Sequence, residues 1–320
     1  FYRSVGIPGA APPHDRITLK VFYPADPEDT PLERNTGVIP ADASAAPYPV
    51  VIFFPGINLG PEAYSWLAIE LAGQGYIAVT FSAITEEMPG FVSLSPGLVI
   101  DNLTPERFGK APVCSSLQPI LDELARLNGN SLLAGLIDLE TVVLAGHSAG
   151  GTVALLSADP DQYHGVKAVF SYGAHSGASV ELGWPAETVM PLPGKVPALL
   201  LGGDRDGVIA GSAHRYGRDA EDPVHTVLKT FEEALVDPGS DCYLFILAGA
   251  NHFSFSDRDD GTTGRAFLDW EAGADQAIYR ERIAALAVDF LRSELGADPA
   301  AQQRLRDALH SDTMHLAMHK

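Results

Sequence analysis

The chain has 320 residues, and its hydrophobic content of 46% is sufficient for a large core. Aspartate and glutamate outnumber lysine and arginine by 41 to 21, and the resulting net charge of −20 would repel nucleic acid and anionic membranes. No stretch approaches the roughly 18 uninterrupted apolar residues of a membrane span. We therefore expect no nucleic-acid partner and no membrane span, and partners that are neutral or cationic.

The N-terminal part of the chain contains two short apolar runs that are typical of strands buried on both faces of a sheet. A polar, proline-rich segment precedes the first run, and a long segment without clear periodicity follows the second. In chain order these patterns predict a partly exposed strand at 16–25, an irregular loop at 26–47, a buried strand at 48–56, a helix at 62–74, a buried strand at 76–83, a loop-rich excursion over the site at 84–114 and a helix at 116–128.

The C-terminal part continues the alternation of strands and helices. The last long helix is predicted to be amphipathic, with Ile283, Leu286 and Phe290 among the residues on its apolar side. In chain order the patterns predict a strand at 141–146, a helix beginning at Ala149, strands at 166–173, 196–203 and 242–249, a helix at 276–295 and a helical tail at 297–320.

Apolar strands that alternate with helices predict an α/β fold, in which a mostly parallel central sheet has helices on both faces. We expect a single domain over residues 1–320, with the excursion at 84–114 as an insertion over the site. In such sheets ligands bind beyond the carboxyl ends of the strands. Four strand ends are therefore the places to look for chemistry.

The two cysteines, Cys114 and Cys242, are too few for a disulfide scaffold. They could still pair with each other, although two unpaired thiols are the simpler interpretation. The sequence begins at Phe1 and not at methionine, which fits either the removal of a signal peptide or a trimmed terminus. We favour secretion and keep a cytoplasmic location as the alternative.

The first strand end of interest is a glycine-rich turn around Ser148. Its Gly-x-Ser-x-Gly pattern lies between a predicted strand and a predicted helix, which is the placement that a nucleophile elbow requires. A Cβ at Gly146 or Gly150 would collide with neighbouring backbone in so tight a turn. The helix N-terminus behind the serine would also offer free amides to a developing negative charge. An ordinary strand-to-helix turn is the alternative.

Two acids follow the strand at 196–203, and both have the chain position of a triad acid. Such a carboxylate must accept the Nδ1 proton of the catalytic imidazole. We favour Asp206, because Gly203 and Gly207 flank it and let the loop bend inward. Asp204 stays open as the alternative, and a solvated turn residue is the non-catalytic interpretation of either.

His252 follows the last predicted strand, and its position after the acid suits a general base. His175, His214 and His225 all lie before that strand, where this chain order does not place the base.

An acyl-transfer site also needs two N–H donors for the oxyanion. The predicted oxyanion donors are two backbone amides, those of Ala149 and Ile57. Ala149 follows the nucleophile directly. Ile57 follows a Pro55–Gly56 turn that leaves its amide free. A simple surface turn is the alternative interpretation of the loop that carries Ile57.

From about residue 16 to 295 the sequence resembles the α/β-hydrolase superfamily. The resemblance is carried by "FFPG" at 53–56, "GHSAGG" at 146–151, "GGDRDGV" at 202–208 and "GANH" at 249–252. Within the superfamily, the "FPG" turn and "AGHSAGG" are similar to a branch that holds cutinase-like polyester hydrolases, chlorophyllases, dienelactone hydrolase relatives and platelet-activating-factor acetylhydrolases.

The chain departs from two members of that branch. Cutinase-like enzymes usually have methionine after the serine and chlorophyllases usually have arginine, whereas this chain has Ala149. The excursion at 84–114 is also longer than in a minimal cutinase-like enzyme. Neither substrate is therefore carried over to this chain.

Together the strand ends and the resemblance predict a serine carboxylic-ester hydrolase that acts on neutral, fairly apolar esters, small or polymeric, without a metal or an organic cofactor. The alternatives are an amidase, acyltransferase or lyase with the same triad, and a non-catalytic ligand-binding protein. Eight side chains are candidates for the substrate pocket because they lie near the active strand ends: Phe54, Asn58, Tyr64, Phe91, Tyr172, His175, Trp184 and Phe253.

Overall fold

A computed structural model describes residues 1–88, 90–236, 238–257 and 265–320. Residue 89, which belongs to the predicted excursion, lies outside this range. The described strands form one sheet and are β1 (Tyr2–Gly6), β2 (Arg16–Phe22), β3 (Tyr48–Phe54), β4 (Ile77–Met88), β5 (Phe91–Ser95), β6 (Ile137–His147), β7 (Val166–Tyr172), β8 (Ala198–Gly203), β9 (Cys242–Leu247) and β10 (Met314–His319). The described α-helices are α1 (Pro31–Thr36), α2 (Ser65–Gly73), α3 (Leu117–Gly129), α4 (Ala149–Ser157), α5 (Gly207–Ala210), α6 (His225–Lys229), α7 (Gln276–Gly296) and α8 (Pro299–Ala308).

The strands are ordered β1-β2-β4-β3-β6-β7-β8-β9-β10, and β5 pairs with β4. The six central strands, β4-β3-β6-β7-β8-β9, are parallel to one another. Strands β1, β2, β5 and β10 pair in antiparallel fashion. The prediction of an α/β fold with a mostly parallel sheet is confirmed. The carboxyl ends of the parallel strands consequently share one edge of the sheet.

The central strands are buried on both faces because each face is covered by helices. Along β3, Val50 and Ile52 contribute to a core cluster with α3 and α4. Val51 and Phe53 point the other way and contribute to a second cluster with α2 and α7. This alternation explains why β3 reads as an unbroken apolar run in the sequence.

Helix α7 matches its predicted bounds almost residue for residue. The buried side chains include Ile283, Leu286 and Phe290, which were expected on its apolar side. In α2, by contrast, Ile69 was included in the apolar periodicity and is 62% exposed. Across the described residues, none of the helices combines the length and the apolar character that crossing a bilayer would require.

The predicted excursion at 84–114 begins as a β-hairpin and not as a loop. Strand β4 continues to Met88 and pairs with β5. Ala83 is paired with Ile17 of β2 on one side and with Ser95 of β5 on the other. Strand β5 therefore lies on the β3 side of β4, beyond the end of β3, where β4 would otherwise have had no partner. The prediction of a loop was wrong for this hairpin.

The predicted helical tail was wrong at its end. Helix α8 is followed by β10, which pairs with β9 and covers its free edge. A ring contact supports this pairing, since His319 stacks on Tyr243 with centroids 4.4 Å apart. Covering an edge strand removes unpaired backbone groups from solvent, a tertiary effect with no local sequence signal.

Two short elements near the N-terminus were also not predicted. Strand β1 pairs with β2. Helix α1 lies within the segment expected to be irregular, and it forms because Thr30 and Glu33 make a reciprocal capping box at its start.

Both cysteines are free and buried. The two open interpretations are therefore decided in favour of unpaired thiols. Burial raises the pKa of the Cys242 thiol to about 11 and also raises that of Cys114.

Candidate active site

Ser148 lies on a strained turn between β6 and α4. Its φ of 56° and ψ of −128° are unfavourable for a residue with a side chain. The turn is held by a hydrogen bond from the Ser148 amide to the carbonyl of Tyr172, 3.0 Å away. A Cβ on Gly146 would lie only 2.4 Å from the carbonyl oxygen of Gly150. The expectation that glycine is needed at this position is confirmed.

The end of β3 packs directly against this turn. A Cβ on Gly150 would lie 2.2 Å from the carbonyl oxygen of Phe54, so the second glycine of the motif is also required. A Cβ on Gly56 would lie 3.4 Å from the Cβ of Ser148. The loop after β3 therefore approaches the serine within van der Waals contact.

Two backbone amides near Ser148 are unused. Among the described residues, no acceptor pairs with the N–H of Ile57 or with that of Ala149. Both amides were predicted as oxyanion donors, one from each side of the serine. Ala149 is the first residue of α4, so its amide also benefits from the positive end of the helix dipole.

Asp206 and His252 form a buried pair at the ends of β8 and β9. The Oδ2 atom of Asp206 lies 2.7 Å from Nδ1 of His252, and the residues are 1% and 2% exposed. The second oxygen of Asp206 accepts the amide of Ile209 at 2.8 Å, which caps α5. The carboxylate is thus fixed from two directions.

Asp204, the alternative acid, has a different position. One of its oxygens accepts the amide of Gly249 at 2.7 Å, and the other lies 3.4 Å from Nδ1 of His315. It braces the turn after β9, whereas Asp206 contacts the imidazole of His252. The structure therefore brings Asp206, and not Asp204, to the predicted base.

The end of β7 lies between the serine turn and the imidazole. Tyr172 accepts the amide of Ser148, and a Cβ on the next residue, Gly173, would lie 3.0 Å from Nδ1 of His252. The ring of His147, directly before the serine, has its centroid 4.6 Å from that of His252. The hydroxyl of Ser148 makes no hydrogen bond with any residue that the structure describes.

Asp269 is a further acid in this site, and sequence reasoning missed it. Its carboxylate accepts the amides of Gly207 at 2.9 Å and of His252 and Phe253 at 3.2 Å each. Burial, reinforced by the charge of Asp206, raises the pKa of Asp269 to about 6. No motif marks this residue, because it acts through the backbone of two other loops.

Four of the predicted pocket residues are core residues in the structure. Phe54 packs edge-on against Phe81 in the core cluster on the α3 and α4 side of the sheet. Tyr172 uses its hydroxyl to hold the carbonyl of Asn251 at 2.6 Å. The residues that are at most 3% exposed and so have almost no surface for a substrate are Phe54, Tyr64, Tyr172 and Phe253. They were chosen for nearness to strand ends. Phe54 and Tyr172 lie on strands, Tyr64 and Phe253 lie on short 3₁₀ helices, and all four side chains pack into the core.

The other four pocket candidates have mixed positions. Trp184 donates its indole N–H to the carbonyl of Leu103 at 2.6 Å and belongs to a small satellite core. His175 is 7% exposed, and burial lowers its pKa to about 4, so its ring is neutral at physiological pH. Asn58 is exposed and lies where the loop after β3 meets the hairpin, whereas Phe91 is exposed at the turn end of the hairpin.

Asn58 joins the loop after β3 to the hairpin through two hydrogen bonds with Leu94, in a pattern that resembles the pairing of two strands. Its amide donates to the carbonyl of Leu94 at 2.9 Å, and its side-chain oxygen accepts the amide of Leu94 at 3.1 Å. The hairpin is thereby attached to the loop that carries Ile57.

No protein-family model and no curated protein matches the chain.

Proposed function

We propose that the protein is a serine carboxylic-ester hydrolase with an α/β-hydrolase fold. The observation that carries the proposal is the buried Asp206–His252 pair, which lies at the same sheet edge as a serine on a strained turn. Within the described part of the chain, the amide of Ala149 beside that serine and the amide of Ile57 in the loop after β3 have no acceptor. A nucleophile, base, acid and oxyanion donors at successive strand ends are the parts that acyl transfer needs.

In the proposed reaction, Ser148 attacks the ester carbonyl while Nε2 of His252 takes the hydroxyl proton. The Nδ1–H group of His252 keeps its proton and donates a hydrogen bond to Asp206, which stabilises the imidazolium. His252 then gives the Nε2 proton to the departing alcohol, and an acyl-enzyme remains. Water attacks this ester in the same way, with His252 as base, and releases the acid and the free serine. The serine–histidine hydrogen bond of such sites often tightens only with substrate bound.

The amides of Ile57 and Ala149 are the proposed oxyanion hole. One lies in the loop after β3 and the other at the start of α4. Donors that need no reorganisation are the main source of transition-state stabilisation in acyl transfer, and each is worth about 3–4 kcal/mol.

Neutral, apolar esters are the substrates that we propose, from exposed apolar side chains on segments joined to the site and from the net charge. Phe91 and Val92 in the hairpin are 67% and 56% exposed, and Phe267, two residues before Asp269, is 82% exposed. The net charge of −20 disfavours anionic substrates by long-range repulsion. Small apolar esters and apolar ester polymers both fit this description.

Replacing Ser148 with alanine tests the proposal. We expect hydrolysis of p-nitrophenyl esters to fall by about 10⁶-fold, because removing the nucleophile disables the triad as a unit. Ser157→Ala, at the far end of α4, is the matched control and should keep nearly full activity. A fluorophosphonate probe should label the wild type and the control but not Ser148→Ala.

Three outcomes would count against the proposal. Full activity in a folded Ser148→Ala variant would exclude the serine as nucleophile. Absence of labelling together with tight ligand binding would indicate a non-catalytic protein. Faster cleavage of matched amides, or acyl transfer to added alcohols in preference to water, would assign a different reaction to the same triad.

A further inference from the structure

We propose that Tyr64 and His147 are positioning residues for the proposed ester hydrolysis. They hold the oxyanion loop and the base loop at a fixed distance from each other through one buried hydrogen-bond chain. The oxyanion loop is defined here as residues 55–58 and the base loop as residues 251–255. The inference rests on the proposed function, because it assigns a role to groups that do not touch the reacting atoms.

The chain consists of three consecutive contacts. The amide of Gly56 donates to the hydroxyl oxygen of Tyr64 at 2.8 Å. That oxygen lies 3.2 Å from Nδ1 of His147. On the other side of the ring, Nε2 of His147 lies 3.0 Å from the carbonyl oxygen of His252. The contacts thus connect the residue before Ile57 with the backbone of the proposed base.

The chemistry of the two ends fixes the direction of every hydrogen bond. A carbonyl oxygen can only accept, so Nε2 of His147 must carry a proton for the contact with His252. In a neutral ring Nδ1 is then an acceptor, and the hydroxyl of Tyr64 must donate to it. The oxygen of Tyr64 is left free to accept the amide of Gly56. Each donor therefore has one acceptor, and a single tautomer satisfies the whole chain.

Burial keeps His147 in that neutral state. Tyr64 is 1% exposed and His147 is fully buried. Desolvation, followed by the influence of His252, lowers the pKa of His147 well below 6.5, so the ring does not gain a proton at physiological pH. A protonated ring would have no acceptor for the Tyr64 hydroxyl.

Aromatic packing holds the chain in place. The ring of Phe255, in the base loop, lies 5.8 Å from that of Tyr64 and 5.6 Å from that of His147. It also stacks on Tyr172 at 5.4 Å. Since Tyr172 accepts the amide of Ser148, the same cluster supports the serine turn. The hydrogen-bond chain therefore joins the ends of β3, β6 and β9, and the aromatic cluster adds the end of β7.

The first experiment compares Tyr64→Phe with Tyr76→Phe. Both tyrosines are buried in the same core cluster, but only Tyr64 bonds to the oxyanion loop. In Tyr64→Phe we expect kcat and the rate of fluorophosphonate labelling to fall by roughly ten- to a hundredfold, because displacement of a catalytic group by about 1 Å can cost that much. KM should change little. Tyr76→Phe should leave both rates close to wild type.

The second experiment breaks the hydrogen-bond chain at His147. In His147→Leu the side chain can neither donate to the carbonyl of His252 nor accept from the hydroxyl of Tyr64. The double variant with Tyr64→Phe should then be no slower than His147→Leu alone, because both changes break the same hydrogen-bond chain. In long-range ¹H–¹⁵N spectra of the wild type, His147 should have a protonated Nε2 and an unprotonated Nδ1.

The results distinguish this inference from the proposed function. Wild-type kcat in a folded Tyr64→Phe variant, additive losses in the double variant, or a protonated Nδ1 would each overturn the inference. A wild-type protein that neither hydrolyses esters nor reacts with the probe would instead overturn the proposed function. The tautomer measurement needs no activity, so it still decides whether the hydrogen-bond chain exists.

Discussion

Replacing Asp206 with asparagine would force the imidazole of His252 into the wrong tautomer. One oxygen of Asp206 caps α5 by accepting the amide of Ile209 at 2.8 Å. The asparagine oxygen must take that position, since an amide nitrogen there would face another donor. The side-chain NH₂ is then directed at Nδ1 of His252, 2.7 Å from the replaced oxygen. Nδ1 becomes an acceptor, and the only ring proton moves to Nε2, which can no longer take one from Ser148.

The expected loss follows from this tautomer change. An acid-to-amide replacement of this kind in a serine triad lowers kcat about 10⁴-fold, which corresponds to about 5 kcal/mol of transition-state stabilisation. The assay is steady-state hydrolysis of a p-nitrophenyl ester at neutral pH. KM should change far less than kcat, because no contact with the bound substrate is removed.

Asp204→Asn is the matched control, because it lies two residues away and accepts a backbone amide in the same way. We expect this variant to stay within a few-fold of wild type. A larger loss for Asp204→Asn than for Asp206→Asn would refute the assignment of the acid. So would near-normal kcat in a folded Asp206→Asn variant, since the capping bond then could not be forcing the tautomer.

Two other predictions concern the scaffold of the site. Gly146→Ala should destabilise the protein by about 3 kcal/mol in urea unfolding, because its Cβ would lie 2.4 Å from a carbonyl oxygen. The control is Gly129→Ala, whose Cβ would have no atom within 4 Å and which should stabilise the protein by up to about 1 kcal/mol. Equal effects of the two variants would contradict the packing argument. The folded-state pKa of Asp269 is raised to about 6 from its usual 3.8, so the folded state binds the extra proton and stability falls as pH rises from about 4 to 6. Asp269→Asn lacks this titration, so its Tm relative to wild type should rise over that pH range, and a constant difference would show that the carboxyl is not perturbed.

The central strands and the glycine-rich turn at Ser148 could be predicted because their signals are local. An unbroken apolar run such as β3 has few alternatives to a strand covered on both faces. The glycines around Ser148 were recognisable because only glycine permits the close backbone contacts now seen at Gly146 and Gly150. The positions of Asp206 after β8 and of His252 after β9 could likewise be predicted, because each residue follows an apolar run.

The remaining features depend on contacts between distant segments. Strand β10 forms because β9 has a free edge, and the hairpin of β4 and β5 forms because β4 outruns β3; neither cause is visible within the segment itself. The burial of pocket candidates such as Tyr64 likewise depends on the segments that pack over them, which nearness to a strand end does not reveal. Asp269 was missed because it acts on the backbone of residues that lie 16 and more positions away.

Two carboxylates converge on His252, and their contacts separate their roles. Asp206 contacts the ring and sets its tautomer, whereas Asp269 contacts the amides of His252 and Gly207 and so sets the distance between base and acid. The raised pKa of Asp269 shows that burial and the charge of Asp206 oppose its ionisation, while a positive charge on His252 favours it. In the proposed acyl transfer, the imidazolium of His252 would supply that positive charge. Under that proposal an ionised Asp269 is better accommodated in the transition state than in the resting site, which is the condition for a charge to contribute to catalysis and not only to binding.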